Sequence, residues 1–313
     1  MLVVGAGGFV GANLVRRLMQ GGQRVIGTIR PAGHRWRLEG LRGELELREV
    51  ELRDEDAVVR LVTETSPDWI FNLATHDYWD SDLRAQVDTN LLATSSLLHA
   101  AANSGCEVFV NAGTSSEYGF KDHAPVEDEL PEPNTPYAVA KAAATLLCRQ
   151  VSSALALRTV TLRLYSVYGP YEHPRRLIPR LIVNGLRGEL PPLADPGTRR
   201  DFVAVDDVVE AFVRSAAAWG SQAGAVYNVG SGVATSLSGV VDIARRTLPI
   251  EAEPDWGSLP SRDWDTSVWV SNSARAGAEL GWAPRRDLEG GFKETVDWLC
   301  SEPSVWEVYG VRG

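Results

Sequence analysis

Cysteine is scarce in this sequence. Cys106, Cys148 and Cys300 are the only three among 313 residues. They are too few and too scattered for a disulfide framework or a zinc site, and each reads as a buried small hydrophobe. Basic charge is also short: 31 Lys and Arg stand against 41 Asp and Glu, a formal net charge of −10. A nucleic-acid partner is not expected, because neutralising phosphates takes a basic face. No apolar run approaches the roughly 20 residues of a membrane span. The first residues enter a strand-like run directly, with no basic-then-apolar leader. A soluble cytoplasmic protein with no membrane partner and no metal is expected.

What is present is a 44% hydrophobic fraction, ample for one large domain or two closely joined ones. Short apolar runs alternate with helical stretches. "MLVVGA", "RVIGTIR", "ELELREVEL", "DWIFNLAT", "CEVFVNAG" and "RTVTLRLYSVYG" read as six successive strands. Ala12 to Gln20, Leu91 to Ala102 and Pro136 to Leu155 read as helices. Such alternation predicts an α/β fold, a doubly wound parallel sheet of the Rossmann type covered on both faces. After Gly169 prolines crowd the chain and regularity drops. The expected division is a dinucleotide-binding domain over 1–169, with 202–229 returning to it. Residues 170–201 and 230–313 would form a smaller substrate-binding lobe.

The first strand ends in "VGAGGFVG", with Gly5, Gly8 and Gly11 three apart. A helix follows at once. Without side chains in the way, backbone N–H groups and the helix N-terminus can approach a pyrophosphate. A glycine triplet alone signals only a tight turn. The order strand, turn, helix makes it a dinucleotide loop, to which Gly5, Gly8, Phe9, Val10 and Gly11 are assigned. An acid ending the second strand would bind a ribose 2′-hydroxyl, and a base a 2′-phosphate. "VIGTIRPAGHRWR" has no acid there, only Arg30 with His34, Arg35 and Arg37 behind it. The planar fork of Arg suits phosphate, although a solvated basic loop would look the same. NADP(H) is favoured, with NAD(H) as the other option. Glu51 and Leu52 are placed at the adenine edge, and Leu73, Ala74 and Thr75 of "NLAT" along the cofactor path.

"YAVAK" sets Tyr137 and Lys141 four apart, on one face of a helix. A phenol with a pKa near 10 is a poor acid–base catalyst at neutral pH. A neighbouring ammonium and a positive nicotinamide ring are expected to pull that value down. The Tyr can then exchange a proton with an alcohol or carbonyl oxygen while a hydride moves at the adjacent carbon. An isolated Tyr-x-x-x-Lys would be an ordinary helix face. The glycine turn and the hydroxyl-rich "GTSSEYG" upstream lift it above that.

These pieces, with Asn90 in "DTNLLAT", "RLYSVYGP", "RRDFVAVDD", "YNVGSG" and "LGWAP", run nearly end to end. In order and spacing the chain resembles the extended short-chain dehydrogenase/reductases of the nucleotide-sugar epimerase/dehydratase/reductase group. The resemblance implies Thr114 as the hydroxyl on the substrate oxygen, Tyr137 as acid/base and Lys141 as ribose-binding partner. Asn90 would be a structural or relay position on the cofactor side. Arg200, and Arg262 in "SLPSRDWD", match contacts to a nucleotide-sugar diphosphate. Ser166 stands where the group often has Asn. His76, Ser115 and Ser116 are placed at the substrate, and Tyr78 and Trp79 either stack on it or pack under a loop. The resemblance also implies a homodimer through the Leu91–Ala102 and Tyr137–Leu155 helices.

In the group's dehydratases a Glu two places after the Thr removes a proton so that water can leave. Here that place is held by Ser116, and Glu117 falls one place later. If the segment stays extended, Glu117 faces away from Thr114 and Glu117→Gln leaves ketone reduction largely unchanged. A bulge would re-aim it. The expected activity is NADPH-dependent reduction of a nucleotide-linked 4-keto (6-deoxy) sugar. The rivals are a 4-epimerase, a 4,6-dehydratase and a non-catalytic cofactor-sensing protein on the same fold.

Overall fold

The early strands are short and, apart from the charged edge strand Glu46–Glu49, mostly apolar, and the helices pack apolar faces on them. The computed structural model describes residues 1–76, 80, 82–155, 157–218, 223–259 and 268–311. Among these, β1 (Leu2–Val4) leads through α1 (Phe9–Gln20) to β2 (Ile26–Ile29) and β3 (Glu46–Glu49). Then follow α2 (Glu55–Thr65), β4 (Trp69–Asn72), α3 (Leu83–Val87), α4 (Ala93–Asn103), β5 (Val108–Thr114), α5 (Pro136–Ala154) and β6 (Arg158–Leu164). A π-helical turn, Asp88–Leu92, joins α3 to α4.

The chain continues through β7 (Ser166–Tyr168), α6 (Leu177–Gly185), β8 (Arg199–Ala204), α7 (Val205–Ala217) and β9 (Ala225–Val229). Then come β10 (Ala234–Ser236), α8 (Leu237–Thr247), α9 (Ala274–Leu280), α10 (Leu288–Ser301) and a short α11 (Trp306–Tyr309). One sheet has the order β3-β2-β1-β4-β5-β6-β9, with every pairing parallel. Its strand order reverses between β1 and β4, and a crevice opens at such a switch point, beyond the carboxyl ends of the strands. Alternation loads both faces. Val3 packs into a core shared with α1 and α7, whereas Leu2 and Val4 pack on the other side with α2, α4 and α5. A second sheet, β10-β8-β7, is covered by α6, α8 and α10 around its own core.

Three details depart from the sequence reading. The sixth strand does not run on to Gly169. It stops at Leu164, where Val167 N donates to Tyr165 O at 2.9 Å and makes a tight turn about Ser166. Residues 166–168 thereby cross into the small sheet. Cys300 is exposed, while Cys106 and Cys148 are buried. It lies one step past Leu299, the last buried residue of α10, and a step of 100° turns a side chain off the apolar face. Finally Ala276, Leu280 and Trp282 enter the core of the large sheet, with Trp282 Nε1 donating to Asp207 O at 2.8 Å. Among the described residues no helix is long and apolar enough to cross a membrane.

Candidate active site

The glycine turn sits at the switch point. Gly5 has φ of +83°, a region that favours glycine. A Cβ on Gly11 would lie 2.3 Å from the Gly5 carbonyl oxygen, so α1 can start this close to the strand only without one. β2 holds the turn, as Gly5 N donates to Thr28 Oγ1 at 3.2 Å and Ala6 N to Thr28 O at 2.9 Å. Helix α1 has Gly8 as its N-cap, with no side-chain cap and no acid in its first turn. Its first N–H groups are left for a ligand anion. A dinucleotide pyrophosphate fits that donor set.

At the end of β2, Arg30 is exposed. Arg35 is paired with Glu49. Arg37 is buried and committed, its Nε donating to Tyr171 O at 2.8 Å and its Nη1 to Gly7 O at 3.2 Å. Glu51 is forked by Arg53 at 2.8 and 2.7 Å, and that pairing holds its carboxyl down to about 2. Leu52 packs beside the core under α2 and α4. Neither residue lines the cleft.

The cleft has a volume of about 580 Å³, within the usual ligand-site range. Gly8, Phe9, Val10, Gly11, Leu73 and Thr75 line it. Thr114, Ser115, Ser116, Tyr137, Lys141 and Arg200 line it too. Gly5, Ala74 and Asn90 lie behind the wall. Asn90 is buried in the π-turn; its Oδ1 accepts from Thr75 Oγ1 at 3.0 Å, and its Nδ2 donates to Gln86 Oε1 at 2.7 Å. It holds the loop in place. His76 also stands behind the lining, with its Nε2 2.7 Å from Oδ2 of Asp80, which does reach the cleft. Arg262, Tyr78 and Trp79 lie outside the described residues.

Helix α5 starts with Thr135 as cap, its side chain accepting from Ala138 N at 3.1 Å, and Pro136 at the first position. That start puts Tyr137 and Lys141 on the first two turns, facing the cleft. Lys141 Nζ donates to Ala112 O at 3.1 Å and Ala74 O at 3.5 Å. Burial lowers its pKa to about 8, with Glu117 opposing the drop. The Tyr137 hydroxyl hydrogen-bonds Thr114 and Thr75, yet burial outweighs both and pushes the phenol up to about 12. Among the protein groups around the phenol, burial is the largest effect. The ammonium is spent on backbone carbonyls, and desolvation, the larger effect, disfavours the phenolate.

Residues after Thr114 do not stay extended. Ser115–Tyr118 winds into a 3-10 turn capped by Thr114. Glu117 does point away from the cleft, but as the third residue of a capping box: its Oε1 accepts Thr114 N at 2.9 Å. Its Oε2 accepts Arg163 Nε at 2.9 Å, with the two side chains 0% and 2% exposed. The sequence shows neither the turn nor the partner, which lies 46 residues away. Cleft residues missed in the sequence include Tyr165, Arg176 and Trp269. Arg176 Nε donates to buried Glu172 at 3.2 Å, a spacing of four that hinted at the pair. Trp269 lies under the Arg200 guanidinium, 4.9 Å from ring centre to carbon, and nothing local marks it.

A family model described as the NAD dependent epimerase/dehydratase family matches residues 1–230. A dTDP-glucose 4,6-dehydratase of Streptomyces griseus is 33% identical, over 98% of this chain and 96% of the relative. Among solved structures, MoeE5 in complex with UDP-glucose and NAD is 31% identical. It superposes with a TM-score of 0.83 over 96% of this chain and 98% of that one. The UDP-glucose 4-epimerase of Thermotoga maritima, solved with UDP-glucose, is 26% identical with a TM-score of 0.85 over 96% and 98%.

Proposed function

This chain belongs to the NAD dependent epimerase/dehydratase family, and from that premise we propose that it is an NADPH-dependent reductase of a nucleotide-linked 4-keto-6-deoxy sugar. The observation that carries the choice is the burial of Glu117. Elimination of water needs a carboxylate within hydrogen-bond reach of the proton beside the keto group. Glu117 is shut behind β5 in its pair with Arg163. Among the described residues lining the cleft the one carboxylate is Asp80, engaged by His76. Ser116 occupies the wall at the base position, and a hydroxyl is far too weak a base to act there alone.

When bound, the reduced nicotinamide supplies the hydride for C4. Tyr137 gives its proton to the C4 oxygen as that oxygen takes up negative charge, and is reprotonated from solvent. A phenol held near 12 starts in the protonated state, which suits a proton donor. Thr114 orients the same oxygen. Lys141, fixed by the two carbonyls, presents its remaining N–H to the ribose hydroxyls. Arg200, on the cleft wall, would take the diphosphate, and Arg30, exposed after β2, would take the 2′-phosphate. In this reading Arg30 is what separates NADPH from NADH. The subunits pair through α4 and α5.

The second reading is a nucleotide-sugar 4-epimerase using NAD. It is favoured by the solved relatives, since the UDP-glucuronic acid 4-epimerase of Bacillus cereus was solved with UDP-glucuronic acid and NAD. The test incubates the purified protein with NADPH or NADH and a 4-keto-6-deoxy nucleotide sugar, following absorbance at the reduced ring. NADPH should be oxidised at least about tenfold faster, the scale of one lost phosphate fork. NAD retained through purification, with interconversion of 4-epimers and no consumption of NADPH, would establish the epimerase instead.

A further inference from the structure

We propose that Glu117 is a positioning residue for Thr114: anchored by Arg163, its carboxylate locks the end of β5 so that the Thr114 hydroxyl is held against the oxygen that Tyr137 protonates. The proposal rests on the role given to Thr114 above. It begins with space. Gly113 and Arg163 are register partners across β5 and β6. A Cβ on Gly113 would lie 2.6 Å from Glu117 Oε1 and 2.8 Å from Thr161 Cγ2. The missing side chain is the slot through which the carboxylate reaches beneath the strand.

Both carboxylate oxygens are then used. Oε1 takes the Thr114 N–H at 2.9 Å and Oε2 takes Arg163 Nε at 2.9 Å. The guanidinium is itself held from two further sides, with its carbon 4.4 Å from the Tyr118 ring centre and Nη1 donating to Glu127 O at 3.3 Å. With the 3-10 turn fixed, Ser116 N donates to Thr114 Oγ1 at 3.2 Å. A hydroxyl that accepts from the backbone keeps its own hydrogen for another acceptor. Tyr137 hydrogen-bonds the same hydroxyl. The line Arg163, Glu117, Thr114 backbone, Thr114 hydroxyl, Tyr137 is therefore continuous. A buried ion pair adds little net stability over an apolar pair, so its use here is geometric.

The test replaces the pair by neutral groups, which avoids stranding a buried charge. Glu117→Gln with Arg163→Met keeps an acceptor for the Thr114 N–H; Glu117→Val with Arg163→Met removes it. Turnover of the Val variant should fall at least about tenfold below that of the Gln variant, with KM for sugar nucleotide and NADPH within about twofold, as for an interaction made only in the transition state. In a Thr114→Val background the same exchange should cost nothing further, because coupled residues are non-additive. Equal turnover of the two variants, or an undiminished loss in the Thr114→Val background, overturns the proposal. If the Val variant does not fold, Glu117→Asp is measured. It keeps charge beside Arg163 but draws the oxygen back by one methylene, and wild-type turnover refutes the idea. Should wild type reduce no keto sugar at all, the reductase reading has failed and positioning is judged by amide exchange of residues 112–118. Faster exchange in the Val than in the Gln variant is then required, and equal exchange rejects it.

Discussion

At the scale of single residues, Tyr137 and Lys141 show burial overriding what proximity would suggest. The phenol is pushed up to about 12 and the amine down to about 8, burial being the first cause of each. Tyr137→Phe should leave sugar-nucleotide binding nearly intact and lower turnover by about a hundredfold or more, the usual scale for a lost general acid. Turnover like wild type would move the proton to another donor. Arg30→Asp should weaken NADPH binding far more than NADH binding, since it removes the fork and adds a like charge. Titrating both dinucleotides against the two proteins checks this, and an equal loss for both would release Arg30 from the 2′-phosphate. Glu117 is the residue whose meaning changed most. An extended loop would turn it away with nothing to hold; in the capping box beside Gly113, paired with Arg163, it accepts the Thr114 N–H.

At the scale of elements, α3, the π-turn leading into α4, and α5 leave large apolar side chains in solvent. Leu83 and Leu92 on the first stretch and Val139 and Leu146 on α5 are exposed. Val139 and Leu146 are seven apart and share a face of α5, while the neighbouring face, with Ala138, Ala142 and Thr145, is buried. Two antiparallel helix pairs meeting about a two-fold axis would cover these residues in an isologous four-helix contact. The chain should therefore be a dimer by light scattering at micromolar concentration, and Val139→Glu with Leu146→Glu should make it a monomer. A monomeric wild-type protein would refute the contact.

At the scale of the whole molecule, stability should carry the mark of Glu172. This carboxyl is buried, and burial raises it to about 7 despite Arg176. In the unfolded chain it titrates near the ordinary carboxylate value. Between about pH 4.5 and 7 the folded protein keeps a proton that the unfolded chain has lost. Its contribution is thus fully present below that window and is lost as pH rises through it. Glu172→Gln should flatten the pH dependence and make the protein more stable than wild type at pH 8, by on the order of 2–3 kcal/mol. Urea melts of both proteins at pH 5 and pH 8 decide it, and an unchanged pH slope would place the effect elsewhere.

The fold class, the glycine turn and the Tyr137–Lys141 helix are legible in the sequence because each rests on local rules, whereas Thr114 is singled out by the family resemblance. Strand–helix alternation implies a covered parallel sheet, three glycines after a strand imply close backbone approach, and a spacing of four puts two side chains on one helix face. Other features depend on what meets across space. Chain order does not reveal that Arg163 sits beside Gly113 across two strands, that Lys141 is held by two backbone carbonyls, or that Trp269 comes beneath Arg200. The break in the sixth strand at Tyr165 was equally hidden, since an apolar run looks the same whether it stays in one sheet or crosses to another. Local sequence determined the glycine turn and the Tyr137–Lys141 pair at the cleft. Tertiary packing decided their protonation and direction, because desolvation and buried pairing are set by neighbours that are remote along the chain.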